Sequence, residues 1–189
     1  MPGRRRWLLI AAAVTVLSAF LLPAACVVSL QGQDPVDRLD FIKQRVRLTF
    51  PQAPQLRTEE LARRLEAGER LILLDVRRAE EYAVSHLPGA IRVDPDAVPE
   101  LPLGIGRDAS VVAYCSVGWR SSKWVEALRE QGIDAVNLEG SIFQWVAEDR
   151  PLRRGELEVD VVHPYGRAWA WLVDPEDRAF SPGELASGG

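Results

Sequence analysis

Cys115 is one of two cysteines in the chain, and its surroundings favour thiol chemistry. It directly follows Ser110–Tyr114, a mostly apolar stretch that predicts a buried strand. Gly118 and Arg120 come next, and a helix is predicted to begin at about Arg120 or Ser121. The free N–H groups of a helix start and of a tight loop together favour an anion. We therefore predict a thiolate at Cys115, with a pKa below that of free cysteine and a nucleophilic sulfur.

The alternative is an inert thiol, because a cysteine at a strand end is more often just a small buried side chain. Two neighbours favour the reactive interpretation: Gly118 gives the loop backbone freedom, and Arg120 adds positive charge that can bind an anionic substrate or brace the loop. Trp119 could pack on the domain or line the mouth of the pocket. The predicted active-site loop consists of Cys115, Ser116, Val117, Gly118, Trp119, Arg120 and Ser121.

Three charged residues upstream are predicted to support this site structurally rather than to take part in catalysis. Asp75 ends the apolar run Leu71–Val76, and a buried carboxylate at a strand end must be hydrogen-bonded. Arg77 and Glu81 stand at helical spacing, which predicts an ion pair between them.

The elements that must position these residues alternate between strands and helices. Predicted strands are Leu71–Val76, Ala90–Val93, Ser110–Tyr114 and Ala135–Leu138; predicted helices are Glu59–Glu66 capped by Thr58, Ala79–Ser85, Ser121–Gln131 and Ser141–Glu148. This alternation predicts an α/β fold with a mostly parallel central sheet and helices on both faces. Cys115 would then lie at the carboxyl edge of the sheet, where such folds bind ligands.

Three motifs, in this order along the chain, resemble those of the rhodanese-like family. The first comprises Leu74-Asp75-Val76-Arg77, Glu80-Glu81-Tyr82 and His86-Leu87-Pro88-Gly89-Ala90. The second is the loop from Cys115 to Arg120 with Gly118 and Ser121, which is similar to the family's active-site loop. The third is Leu138-Glu139-Gly140-Ser141 with Trp145 and Pro151, where Ser141 replaces the usual second glycine.

The resemblance implies a rhodanese-like fold and a sulfurtransferase that needs no metal and no organic cofactor. Cys115 would take sulfane sulfur from thiosulfate or a persulfide and pass it to a thiol or cyanide. Its partners would be a small sulfur-containing anion or a protein persulfide. A related phosphatase would need a loop one residue longer than the four residues between Cys115 and Arg120. The other alternative is a non-catalytic or sulfur-relay binding module.

The composition argues against two further classes of function, nucleic-acid binding and zinc binding. The net charge of −4 over 189 residues gives no reason to expect a nucleic-acid partner. The two cysteines, Cys26 and Cys115, and the two histidines, His86 and His163, offer too few ligands at any plausible spacing for a Cys/His zinc site.

The N-terminus predicts export. Arg4–Arg6 precede an uncharged run, and its apolar body Trp7–Leu30 is long enough to cross a bilayer as a helix. Positive charge tends to stay in the cytoplasm, so the domain would lie on the outer side of the membrane. The segment could be a retained anchor, a cleaved signal peptide or a lipoprotein signal with the lipid at Cys26.

We predict four regions. Residues 1–33 are the signal or anchor with a linker, 34–54 an amphipathic helix and linker, 55–153 the rhodanese-like domain, and 154–189 a C-terminal extension whose end, Ser181–Gly189, is disordered. The aromatic residues of the extension are predicted to pack back on the domain, the alternative being a tail that docks a partner.

Overall fold

A five-stranded parallel sheet lies at the centre of the computed structural model, which describes residues 35–184, with side chains from residue 38 onward. Its strands run in the order β1-β5-β4-β2-β3, and every pairing between neighbours is parallel. The strands are β1 (Gln55–Leu56), β2 (Ile72–Asp75), β3 (Ile91–Arg92), β4 (Val111–Tyr114) and β5 (Ala135–Leu138).

Helices surround this sheet and connect its strands. They are α1 (Pro35–Thr49), α2 (Thr58–Glu66), α3 (Ala79–Val84), α4 (Trp119–Glu130) and α5 (Ser141–Ala147). The predicted α/β architecture, a mostly parallel sheet with helices around it, is confirmed.

The central strands consist mostly of apolar residues, so helices and neighbouring elements bury them on both sides. All four residues of β4 are buried, and Leu73 and Leu74 of β2 are at most 3% exposed. Trp124, Val125 and Leu128 of α4 pack into the same core cluster as Leu74. The parallel pairing of Asp75 with Tyr114 places the ends of β2 and β4 side by side, so that the residues following these strands meet at one edge.

Helix α1 packs its apolar face on α5, ahead of the first strand. Leu39, Ile42 and Val46 recur at helical spacing and are all buried. The Phe50 amide donates to the Val46 carbonyl, and the chain turns at Pro51. The predicted amphipathic helix is thus present and is attached to the domain.

Two predicted helix starts are corrected. Thr58 does not cap α2: it is the first helical residue, and its hydroxyl donates to Glu148 Oε1 at 2.7 Å. Helix α4 begins at Trp119 rather than at Arg120 or Ser121, because Gly118 takes up a left-handed conformation that ends the loop early.

The C-terminal extension folds onto the domain. Strands β6 (Leu152–Arg154) and β7 (Leu157–Val159) form a hairpin, and His86 and Arg153 exchange backbone hydrogen bonds of 2.8 Å each. Val161 and Ala179 pack against Val84 of α3 in a buried cluster. Two 3₁₀ turns, Ala170–Leu172 and Pro175–Asp177, lie further along the extension.

Two predictions fall outside the described residues: the signal or anchor segment at 1–33, and most of the disordered end, residues 185–189. Within residues 35–184, no helix combines the length and the apolar character that crossing a membrane requires.

Candidate active site around Cys115

The loop between β4 and α4 wraps around the sulfur of Cys115. Cys115 follows the last residue of β4 and is 1% exposed. The Gly118 amide donates to Cys115 Sγ at 3.2 Å. Gly118 has φ +99, and this turn directs the loop backbone toward the sulfur. The first α-helical hydrogen bond runs from the Ser122 amide to the Gly118 carbonyl, so the amides of the first helical turn are left for the loop.

These groups act on the acidity of the thiol in opposite directions. Burial alone would raise the pKa of Cys115. The positive charge of Arg120 and the hydrogen-bonding groups of Ser121 and Val117 outweigh that effect and hold the pKa below its ordinary value. The predicted direction of the shift is therefore supported by the geometry, with Arg120 as the largest stabilising influence.

Arg120 is held by a carboxylate from another element. Its Nη1 donates to Glu81 Oε2 at 2.7 Å, and its Nη2 donates to Glu81 Oε1 at 2.8 Å and to Ser116 Oγ at 3.0 Å. The Ser116 hydroxyl donates to Glu81 Oε1 at 2.9 Å. Burial opposes ionisation of Glu81, but Arg120 overcomes it and lowers the pKa of the carboxyl group. Of its two predicted roles, Arg120 therefore braces the loop in this structure.

The predicted ion pair between Arg77 and Glu81 is wrong. Arg77 pairs instead with Asp75: Nε donates to Oδ1 at 2.9 Å, and Nη2 donates to Oδ2 at 2.7 Å. Residues i and i+2 can pair here because they lie in the extended chain leaving β2, while Glu81 on α3 faces Arg120. Both members of the pair are 0% exposed, and Arg77 Nη2 also donates to the Ser85 carbonyl. This arrangement is consistent with the structural role predicted for Asp75 and Arg77.

Trp119 and Ser121 of the loop also contact Phe50 and Asn137. The Trp119 ring meets the Phe50 ring edge to face, with centroids 5.2 Å apart, which is packing on the domain. Val117 is half-buried. Ser121 is fully buried, and its hydroxyl donates to Asn137 Oδ1 at 2.6 Å.

Ser141 has a role at the site that its place in the sequence did not reveal. Its hydroxyl accepts from the Cys115 amide at 3.2 Å and donates to the Leu138 carbonyl at 3.1 Å. Its φ is +54, a region that suits the glycine usual at this position. The signal available in the sequence was the serine at a position where glycine is usual, and in the structure that serine bonds to the backbone of Cys115.

Tyr165 of the C-terminal extension also reaches the site. The Arg120 guanidinium carbon lies 5.0 Å from the centroid of the Tyr165 ring, within the range of a cation–π contact. Tyr165 has φ +64 and makes an edge contact with Trp169. Nothing in the local sequence distinguishes Tyr165 from the other aromatic residues of the extension.

Comparison with known proteins agrees with this geometry. The model of the rhodanese-like domain family matches residues 57–148. The Bacillus subtilis protein named "Putative sulfurtransferase YtwF" is 35% identical over 97 residues, covering 51% of this chain and 94% of that protein. A protein of Allochromatium vinosum named "Sulfurtransferase" is 32% identical over 99 residues, covering 52% of this chain and 92% of that protein.

A similar solved structure comes from another bacterium. The thiosulfate sulfurtransferase from Pseudomonas aeruginosa is 25% identical, with a TM-score of 0.52 over 65% of this chain and 23% of that one. Fold, loop geometry and sequence relatives agree, and the chain belongs to the rhodanese-like domain family.

Proposed function

We propose that the chain transfers sulfane sulfur through a persulfide on Cys115. The observation that carries the proposal is the Gly118 amide 3.2 Å from Cys115 Sγ, in a loop whose Arg120 lowers the pKa of the thiol. A sulfur anion is the species that such a loop stabilises. The names of the two sulfurtransferase relatives support the reaction class.

The reaction proceeds in two displacements. The Cys115 thiolate attacks the outer sulfur of the donor, the S–S bond of the donor breaks, and with thiosulfate the leaving group is sulfite. An acceptor thiolate or cyanide then attacks the outer sulfur of the persulfide, and Cys115 leaves again as a thiolate. Electrons balance in each step without a metal or an organic cofactor.

Thiosulfate is the first donor to test, because the structurally similar Pseudomonas aeruginosa protein is named for it. Treatment of the full chain with thiosulfate should add the mass of one sulfur atom to the peptide that contains Cys115. Cyanide should remove this mass and yield thiocyanate. The Cys115→Ser variant should show neither event, whereas the matched Cys26→Ala variant should retain both.

The pH dependence gives a second measurement. Because the pKa of Cys115 is lowered, its reaction with thiosulfate should persist below the pH at which free cysteine loses its thiolate. The rate should fall only as the pH drops through that lowered pKa. A thiol that titrates like free cysteine and gains no sulfur would contradict the proposal.

Two further outcomes identify the alternatives. Hydrolysis of an aryl phosphate without sulfur uptake would indicate a phosphatase. A chain that accepts sulfur, fails to pass it to cyanide or small thiols, and delivers it to one protein would be a relay module.

We also propose, from the sequence alone, that the domain lies on the outer side of the cytoplasmic membrane. The support is the charge pattern of Arg4–Arg6 followed by the apolar run Trp7–Leu30. Membrane fractionation tests this, and a Cys26→Ala variant that moves to the soluble fraction would indicate lipid attachment rather than a membrane-spanning helix.

A further inference from the structure

Tyr165 of the C-terminal extension is held over Arg120 by an unusual turn. The Gly166 amide donates to the Pro164 carbonyl at 2.7 Å, and Tyr165 between them has φ +64. A hydrogen bond between residues two apart, around a positive φ, is the rare and strained form of the γ-turn. His163 and Pro164 before the turn are buried, so the backbone is fixed where the ring leaves it. The fold of the extension therefore sets the position of the Tyr165 ring.

The Tyr165 ring covers one face of a guanidinium whose inner edge is already occupied. Arg120 donates to Glu81 and Ser116 along that edge, and both acceptors are at most 4% exposed. Its guanidinium carbon lies 5.0 Å from the centroid of the Tyr165 ring. The side chain of Arg120 is 21% exposed and Tyr165 is 44% exposed, so the pair lies at the protein surface. The ring thus occupies a position from which a dissolved anion could otherwise reach Arg120.

The charges at the site give a further anion little attraction. The pKa of Glu81 is lowered and that of Arg120 is raised, so both groups are ionised near neutral pH. Burial opposes the Cys115 thiolate, and the charge of Arg120 favours it. One cation is therefore shared between two anions, while the buried Arg77 is paired with Asp75. A donor with negative charge gains little from this cluster unless it can contact Arg120 directly.

We propose that Tyr165 determines donor specificity by covering the face of Arg120 that an anionic donor would contact. The site then favours the persulfide of an uncharged thiol, reacting as neutral R–S–SH, over the dianion thiosulfate, and this preference rests on the proposed function. The Cys115 thiolate attacks the outer sulfur of R–S–SH, the S–S bond breaks, and the thiolate R–S⁻ leaves. Thiosulfate still reacts, but its charge gives it no advantage.

Two alkylating reagents of nearly equal size measure the effect without any sulfur transfer. Iodoacetamide is neutral and iodoacetate is an anion, and both react with the same thiolate. The ratio of the iodoacetate rate to the iodoacetamide rate at Cys115 therefore does not depend on the pKa of the thiol, and a more open pocket raises both rates alike. The rates are measured on the full chain by mass spectrometry of the Cys115 peptide, which separates it from Cys26.

Removal of the ring should favour the anionic reagent. Tyr165→Ala should raise the ratio by about fivefold, which corresponds to the attraction between two unit charges about 4 Å apart in water. This gain should shrink as salt is added. Tyr165→Phe retains an aromatic ring over Arg120 and should keep the wild-type ratio. If Tyr165→Ala fails to fold, Tyr165→Gly removes the ring and suits φ +64.

Phe180 provides a matched control in the same extension. Its ring centroid lies 5.4 Å from the guanidinium carbon of Arg167, and the ring meets the His163 ring edge to face. Phe180→Ala removes a comparable cation–π contact that does not involve Arg120, so the ratio should stay within about twofold of the wild type. An equal rise in Phe180→Ala would assign the effect to loosening of the extension and overturn the proposal. An unchanged ratio in the folded variant without the Tyr165 ring would overturn it as well.

Sulfur uptake from thiosulfate and from the persulfide of mercaptoethanol then tests the donors. In Tyr165→Ala, the rate with thiosulfate should rise by about fivefold relative to the rate with the persulfide. A chain with the expected alkylation ratios that takes sulfur from neither donor would refute the proposed function and leave the covering role of Tyr165 supported. Uptake with the same relative rates in the wild type and the variant would refute the donor preference, while the proposed function would stand.

Discussion

Two substitutions of Ser141 should affect the stability of the folded chain in the opposite order to the one that is usual in helices. Ser141→Ala removes the hydroxyl that accepts from the buried Cys115 amide but keeps the side chain at φ +54. Leaving that amide without its partner should cost about 1–3 kcal/mol of stability. Ser141→Gly loses the same hydrogen bond, but it also removes the left-handed strain of a residue with Cβ, roughly 1–2 kcal/mol.

The glycine variant should therefore be more stable than the alanine variant by about 1 kcal/mol. At an ordinary helix position the order is reversed, and glycine is less stable than alanine by roughly 0.5–1 kcal/mol. Urea unfolding of the three full-length proteins measures the difference. Equal denaturant slopes would show that the substitutions leave the surface exposed on unfolding unchanged. An alanine variant as stable as the glycine variant, or more so, would refute the assignment of left-handed strain to position 141, and an alanine variant as stable as the wild type would refute the contribution of the hydrogen bond.

Three further substitutions test the groups around the loop. Glu81→Gln keeps the shape of the side chain but cannot accept both guanidinium bonds of Arg120. The free energy of unfolding should therefore fall by about 2 kcal/mol. Alkylation of the Cys115 thiol should also slow near neutral pH. Asp75→Asn leaves the fully buried Arg77 charge uncompensated, so the free energy of unfolding should fall by roughly 3–5 kcal/mol. Sulfur uptake by the folded fraction should stay near the wild-type rate. Loss of uptake in a stable variant would instead assign Asp75 a chemical role. Gly118→Ala forces a side chain into φ +99, so the loop amide should turn away from the sulfur and the thiol should titrate closer to free cysteine, as a pH series of alkylation would reveal.

Local sequence was sufficient to predict most elements of the sheet and its helices. Strands such as β4 are continuous apolar runs, and helices such as α1 have an apolar face, so periodicity locates them within a few residues. The loop around Cys115 was also predictable, because a cysteine, a glycine and an arginine lie within six residues that follow a strand and lead into a helix.

The partners of the loop could not be predicted in the same way, since they are brought together only by folding. Glu81 and Arg120 are 39 residues apart, and local spacing pointed to Arg77 as the partner of Glu81 instead. The bond from the Cys115 amide to Ser141 depends on the register of β4 against β5 and on the turn that follows β5. Tyr165 reaches Arg120 only because the extension packs back across α3.

The packing of the extension determines how much of the chain has to be kept when the domain is truncated or moved into another protein. A chain cut after residue 148, where the family match stops, would strip Val161 and Ala179 from Val84 and remove the ring that faces Arg120. The excised fragment would expose Val84 to solvent and leave Arg120 without its aromatic neighbour. To move the Cys115 loop into another protein, residues 35–184 should therefore be carried as one unit rather than trimmed to the borders shared with relatives.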